Sequence, residues 1–450
     1  MPTYKLTYFP GRGRAELARI LFNYTDTPFE DIRVKGEEWK QLKESGKPPF
    51  GLLPILEVDD GTVISSSAAI ASYIADVTGL TADTPLDRAR SVMVIDVFGD
   101  IFNPMVPKYF TEKDPAKKAE LSKEFVEKTL PPWVDKLEAV LKQNSGGDKW
   151  FVGSKLTVLD ISFFNFFDFM GTLLSKDINE LLPKDKVPKM AALWAKVKAL
   201  PKIAAYLEKR PPPPHKHSTA LRQRVLNGCC VYVYGKMPTY KLTYFPTRGR
   251  AELARILFNY TDTPFEDIRV TGEEWKQLKA SGKPPFGLLP ILEVDDGTVI
   301  SSSAAIASYI ADVTGLLADT PLDRARSAMV TDVLGDIINA FIPKYFSQQD
   351  PEKKAEVGKE FVEETLPLWL DKLEAVLKQN SGGDKWFVGS KLTIIDISFF
   401  NFFDSVGTLL SKDINEMLPK DKVPKMAALF AKVKALPNIA AYLEKRPPPP

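Results

Sequence analysis

From residue 1 to about 80, two hydrophobic periodicities alternate along the chain. "TYKLTYF" places branched or aromatic residues at every second position, the pattern of a strand. "AELARILFNY" then sets Leu17, Ile20, Leu21 and Tyr24 at helical spacing. "DIRV" is a second short strand, and "LPILEV-DDGT-VI" reads as a hairpin turned by Asp60-Gly61. Ser66 and Ser67 can cap a helix whose Ile70, Tyr73, Ile74 and Val77 make one apolar face, and Gly79 stops it. The order β-α-β-(α)-β-β-α predicts a small α/β domain with a mixed sheet. From about residue 85 the pattern is helical throughout. Trp133, Leu137, Val140 and Leu141 share a face, and Thr157-x-x-Asp160 is a capping box ahead of a Phe-rich helix.

The whole pattern then recurs. Met1–Pro214 and Met237–Pro450 align without a gap and differ at about one position in eight, so the repeat is of whole domains and not of solenoid units. The intervening "HKHSTALRQRVLNGCCVYVYGK" resembles neither copy. The expected organisation is an α/β domain over 1–82, an all-helical domain over 83–214, a linker over 215–236, and the same two domains over 237–318 and 319–450. As a coil the linker spans on the order of 25 Å, and extended roughly 70 Å, enough to let the copies dock.

Composition is ordinary for a soluble globular protein, with 44% apolar and 26% charged residues and a formal charge of +2. No basic tract points to nucleic acid, no leader-like segment points to secretion, and the aromatic run "ISFFNFFDFMGTLL" is too short and too interrupted to span a membrane. An intracellular, cytoplasmic protein is expected. The rare residues narrow the chemistry further. The only cysteines are Cys229 and Cys230 and the only histidines His215 and His217, all inside the linker. The repeated copies thus lack a Cys/His metal site, a Ser-His-Asp triad and a cysteine nucleophile. Any catalysis there uses Tyr, Ser, Lys, Arg or carboxylates, or a reactive group carried by a cosubstrate.

The strand-to-helix stretch "YFPGRGRAELARILF" at Tyr8 tests these options. A dinucleotide fingerprint needs three glycines, for the turn, for pyrophosphate approach and for helix packing. Gly11 and Gly13 supply two, but Glu16 stands third and repels a phosphate, although Asp31 has the spacing of a ribose-binding acid. The second copy replaces Gly11 with Thr247 while keeping Tyr244, Arg248, Gly249 and Arg250, which disfavours the nucleotide. A disulfide oxidoreductase of the same layout needs Cys-x-x-Cys at this junction, and there is none. What remains is a tyrosine followed six residues later by an arginine.

With "GRAE", "FEDIR", "EEWKQLK", "PFG-LLPILEVD", "SSSAAIASYIA" and the T-x-x-D box, each copy resembles over its full length the cytosolic glutathione S-transferases, most closely their sigma class, which includes prostaglandin D synthases. The resemblance implies a thioredoxin-like N-terminal domain that binds glutathione, an all-helical C-terminal domain that supplies an apolar pocket, no metal, and a dimeric enzyme. It implies that Tyr8 and Tyr244 hold the glutathione sulfur as thiolate, aided by Arg14 and Arg250. Further implied contacts are Trp39 and Lys43 at the glycyl end and the Gly51-Leu52-Leu53-Pro54 turn, with a cis proline, beside the cysteinyl backbone. Ser66 and Ser67 fall at the γ-glutamyl carboxylate. Asp100 falls at the γ-glutamyl amine across the dimer interface. The second copy repeats these as Trp275, Lys279, Gly287, Leu288, Leu289, Pro290, Ser302, Ser303 and Asp336. The implied pocket comprises Phe9, Gly13, Phe102 and Met105 in one copy and Phe245, Gly249, Ile338 and Phe341 in the other.

One departure is that Ser66 and Ser302 stand where many relatives have Gln or Glu, which removes one side-chain hydrogen bond to the ligand, worth about 1.5–3 kcal/mol. "ESGKPPF" also adds residues before the proline turn, which affects the reach of Lys43. The copies agree from Ser45 to Leu80 but diverge on the first long helix of the second domain. There Phe98, Phe102, Met105 and Val106 become Leu334, Ile338, Phe341 and Ile342, and Phe169 becomes Ser405. Two differently shaped pockets, or neutral core drift, both account for this. A second class of protein also stands open, an apolar-ligand carrier or crystallin-like structural protein keeping the fold. Read without the resemblance, Tyr8 is a buried strand aromatic, Trp39 a loop-packing ring, Arg14 an internal ion-pair partner and Ser67 a plain helix cap.

Overall fold

The computed structural model describes residues 2–59, 61–211, 239–295 and 297–448. The chain divides into two compact units, Met1–Cys230 and Val231–Pro450. The expected linker, with both cysteines and both histidines, lies outside the described residues, as does Asp60 of the hairpin turn.

In the first unit the alternating segment forms β1 (Tyr4–Tyr8), α1 (Glu16–Tyr24), β2 (Glu30–Arg33), α2 (Gly36–Glu44), β3 (Ile55–Val58), β4 (Thr62–Ser65) and α3 (Ser67–Thr78). The strand order is β2-β1-β3-β4, with β1 parallel to β2 and antiparallel to β3. Helices α4 (Pro85–Phe102), α5 (Val106–Thr111), α6 (Pro115–Glu124), α7 (Pro131–Gln143), α8 (Val158–Leu174), α9 (Ile178–Leu181), α10 (Pro188–Lys198) and α11 (Pro201–Lys209) follow. Leu6, Ile20, Leu21, Ile55, Leu56 and Ile64 are fully buried between the sheet and its helices. Helix α1 joins the layers, since it packs on α3 within the α/β part and on α8 and α11 of the helical part.

Local chemistry sets the helix starts. Thr84 accepts the amide of Asp87 with Pro85 in the first turn, and Asp114 accepts the amide of Ala116 ahead of α6. The capping box before α8 forms as expected, and its Asp160 is wholly buried. Gly79 ends α3 in the left-handed conformation at φ 75°. Two face assignments are corrected. Val77 is 41% exposed while Ile70, Tyr73 and Ile74 are buried. On α7, Val134 joins Leu137, Val140 and Leu141 in the core, while Trp133 is half-buried with the Lys136 ammonium 5.3 Å from its ring.

The second unit repeats this arrangement, with sheet order and register preserved. It differs at the first long helix. Pro104 cannot donate an amide and collides with the preceding turn, so α4 ends at Phe102 and α5 begins afresh at Val106. With Ala340 in that place, one helix runs from Pro321 to Ser347, and accommodates Pro343 within its last two turns. No helix of the described residues is long and apolar enough to cross a membrane.

Candidate functional site

Strand register brings the expected site together. Thr7 pairs with Ile55, which pairs with Ser65. One step beyond this row stand Tyr8, Pro54 and Ser66, at the ends of β1, β3 and β4 on the same edge of the sheet. In the second unit Thr243, Ile291 and Ser301 form the row, so Tyr244, Pro290 and Ser302 stand beyond it. Peptides Leu53–Pro54 and Leu289–Pro290 are cis. Ser66 adopts φ 80°, which few non-glycine residues do, and its hydroxyl accepts the Ala68 amide at 3.2 Å. Ser67 opens α3, where the unbonded N–H groups of a helix start collect.

Tyr8 is 5% exposed, and its hydroxyl oxygen accepts the backbone N–H of Arg14 at 3.2 Å. Burial pushes its pKa up, opposed by that hydrogen bond and by the charges of Arg14 and Arg19, so the phenol stays protonated at neutral pH. Tyr244 accepts from Arg250 N–H at 3.3 Å. The residue between strand and turn is glycine for a steric reason. Gly13 has φ +42°, and a Cβ there would lie 2.6 Å from the Tyr8 oxygen; at Gly249, with φ +40°, the distance is 2.8 Å. Each glycine thus gives the phenol its clearance.

Aromatic edges link the tyrosine to α2. Tyr8 meets Phe9 at 5.4 Å between centroids, and Phe9 meets Trp39 at 5.9 Å; Phe245 bridges Tyr244 and Trp275 at 5.6 and 6.3 Å. Lys43 is exposed in the last turn of α2, and Lys279 lies 5.9 Å from the Trp275 ring. Gly51 and Gly287 take positive φ at the start of the proline turns, where Leu52 and Leu288 are exposed. Leu53 is buried, and Leu289 is half-buried. Ser303 opens the second unit's corresponding helix. Asp100 and Asp336 are half-buried on the first long helix of each helical part.

Three of the implied pocket residues, Phe102, Met105 and Phe341, are packed deep in the helical parts. Phe102 is a core ring against Phe166 and Phe169, and Phe341 stacks on Phe361 at 4.2 Å. With Met105, each keeps under a tenth of its surface exposed, because the Phe-rich α8 in one unit and Phe361 in the other close around them. Phe9, Phe245 and Ile338 are half-buried.

Sequence reasoning passed over a buried ion cluster behind the loop. Arg19, on α1, donates through Nε to both Asp31 oxygens at 3.1 and 3.2 Å, and through Nη1 to the carbonyls of Gly11 and Arg12 at 3.0 and 3.2 Å. Glu16 accepts the Tyr206 hydroxyl and Arg210 Nη1, each at 3.1 Å, and Arg210 also pairs with Asp168 at 2.9 Å. The available signal was a charged residue set between Leu17 and Ile20 on an otherwise apolar face, repeated as Arg255. Among the described residues no group of three His, Cys, Asp or Glu is placed to hold a metal.

The comparisons with known proteins identify the family. The glutathione S-transferase N-terminal domain matches residues 4–76 and 240–312, and the glutathione S-transferase C-terminal domain matches 99–210 and 335–446. Hematopoietic prostaglandin D synthase of Gallus gallus is 39% identical over 211 residues, 47% of this chain and 98% of the relative. S-crystallin SL11 of Nototodarus sloanii is 38% identical over 213 residues, again 47% and 98%. Glutathione S-transferase 1 of Ascaris suum is 34% identical over 220 residues, 48% of this chain and 100% of the relative. The chain belongs to the glutathione S-transferase family and carries that family's two domains twice. Its relatives are sigma-class-like, and its activity is that of a glutathione transferase.

Proposed function

We propose that each unit holds one complete active site at its sheet edge, with glutathione bound by residues 1–82 and 237–318 and the electrophile accommodated by residues 83–214 and 319–450. A thiol near neutrality is mostly protonated and a poor nucleophile. Tyr8 and Tyr244 donate their O–H to the glutathione sulfur and favour the thiolate over the thiol. The Arg14 and Arg250 amides serve the phenolic oxygen on its other side, which polarises the O–H and strengthens its donation. The thiol proton leaves to solvent, the sulfur forms a bond to the electrophilic carbon, and the leaving group departs with its electron pair. The observation that carries this reading is geometric and common to both units: a tyrosine hydroxyl that accepts a turn amide, at the strand end beside a cis-proline turn and a helix start.

The remaining assignments follow the sheet edge. The Leu53 and Leu289 backbones pair with the cysteinyl residue like an added strand. Amides at Ser67 and Ser303 hold the γ-glutamyl carboxylate at a helix start. Trp39, Lys43, Trp275 and Lys279 meet the glycyl end. Asp100 and Asp336 meet the γ-glutamyl amine of a paired site, with the two units pairing as an internal pseudo-dimer, or between chains as a homodimer. The partners are glutathione and small hydrophobic electrophiles, neither nucleic acid nor membrane, the site needs no metal, and the location is cytoplasmic. Isomerisation of a prostaglandin-like endoperoxide by the same sulfur is supported by the prostaglandin D synthase match.

The S-crystallin match favours a second reading, a structural protein that keeps the fold. Retention on immobilised glutathione together with conjugation of an aromatic halide tests the transferase. A structural protein shows weak retention or none, and no conjugation.

A further inference from the structure

The turn between β1 and α1 has its carbonyls pinned one after another. Pro10 O accepts Arg33 Nη1 at 2.8 Å. Gly11 O and Arg12 O both accept Arg19 Nη1. Gly13 O accepts the Glu16 amide, closing a single 3-10 turn over Gly13–Ala15. A planar trans peptide points its N–H opposite its C=O. With the Gly13 carbonyl committed toward α1, the Arg14 N–H of the same peptide is aimed back at the Tyr8 oxygen. The second unit repeats the last three of these contacts. Arg255 Nη1 holds Thr247 O at 2.9 Å and Arg248 O at 3.3 Å, and Gly249 O accepts the Glu252 amide. The change from Gly11 to Thr247 leaves it intact because the backbone, and no side chain, makes the contact.

Arg19 and Arg255 are each 1% exposed, a rare place for a guanidinium. Their Nε groups are fixed by Asp31 and Asp267, and their Nη1 groups lie near Glu16 and Glu252 at 3.5 and 3.4 Å. Each glutamate is held in turn by the last helix of its unit, through Tyr206 and Arg210 or through Tyr442 and Arg446. The relay holds the two peptides that lead into the one meeting the phenol, whose own carbonyl is taken by the Glu16 or Glu252 amide.

We infer that Arg19 and Arg255 are positioning residues for the reaction: by holding the turn carbonyls they aim the Arg14 and Arg250 amides at Tyr8 and Tyr244, and so tune the acidity of bound glutathione without touching it. This rests on the proposed role of the tyrosines. A lysine keeps the charge but lacks the fork that reaches a carboxylate and two carbonyls together. In the full chain, R19K/R255K therefore shifts the ultraviolet titration of the bound thiolate upward by about one pH unit, a tenfold loss of thiolate at a pH below both values. The acid limb of kcat/KM moves with it, and KM for glutathione changes less than about twofold.

D31N/D267N, which loosens the arginine without removing it, shifts the titration the same way by less and serves if the lysine variant does not fold. Y8F/Y244F is the reference. A thiolate titration unmoved in a folded arginine variant, while Y8F/Y244F moves it, overturns the positioning role. A titration unmoved in both removes the tyrosine mechanism and the positioning role with it.

Discussion

Gly13 lies so close under Tyr8 that a Cβ on it would stand 2.6 Å from the phenolic oxygen and 2.9 Å from ring carbon Cε1. Alanine there also suffers from φ +42°, at a cost of about 1–2 kcal/mol for an L residue in that region. The ring must move, and the hydroxyl with it. G13A/G249A is expected to lower kcat/KM at least tenfold, since small displacements of a reacting group are costly, with a modest fall in Tm. Steady-state kinetics and thermal unfolding check this, and full activity in the alanine variant contradicts it.

The capping box carries stability more than chemistry. Buried Asp160 accepts the Phe151 amide at 2.9 Å, the Thr157 amide at 2.8 Å and the Thr157 hydroxyl at 3.0 Å. Burial raises its pKa to about 6 despite these bonds, so the carboxylate is ionised at pH 7. D160A strands two buried amides, and the expected loss is about 3–5 kcal/mol. Urea unfolding measures it; a loss below about 1 kcal/mol contradicts the assignment.

Alkaline pH tests the buried phenols. Burial raises the pKa of Tyr8, Tyr73, Tyr206 and Tyr442 in the folded protein. The unfolded chain therefore releases these protons first, near the ordinary value of about 10. The folded state holds more protons above that point, so stability falls as pH rises beyond about 10 and is unaffected by these groups below it. Phenolate absorbance is expected to rise in two phases, exposed tyrosines titrating reversibly and the buried set appearing only with unfolding. A single reversible phase near pH 10 contradicts the burial.

The helix break gives an asymmetric expectation for the two units. Ala340 lies inside the helix from Pro321 to Ser347, so A340P removes an amide donor and costs about 3 kcal/mol. P104A relieves an existing break and changes stability by under about 1 kcal/mol. Thermal unfolding of the two variants separates them; equal losses contradict the account of the break.

Much of this was legible in the residues. The two periodicities fixed strands and helices, the Thr157 box and Gly79 fixed helix ends, and the repeat fixed the two units. Tyr8 stood out because no histidine or cysteine outside the linker competed for its role. The misses share a cause. A helical face drawn from spacing does not reveal which flank meets a neighbour, so spacing puts Val77 in the core and leaves Val134 out, the reverse of what the structure has. The fit of Gly13 against Tyr8 and the pinning of four carbonyls depend on backbone direction, which a residue string does not encode. The packing of Phe102 on Phe166 and Phe169, and of Phe341 on Phe361, joins segments distant in sequence, which spacing along the chain does not encode.

The most direct test replaces both phenols in the full chain with phenylalanine and follows conjugation of an aromatic halide across pH. With the thiolate no longer favoured, kcat/KM at neutral pH should fall at least tenfold and its acid limb should move upward, while retention on immobilised glutathione persists. Undiminished turnover with an unmoved acid limb would contradict a tyrosine-held thiolate in either unit.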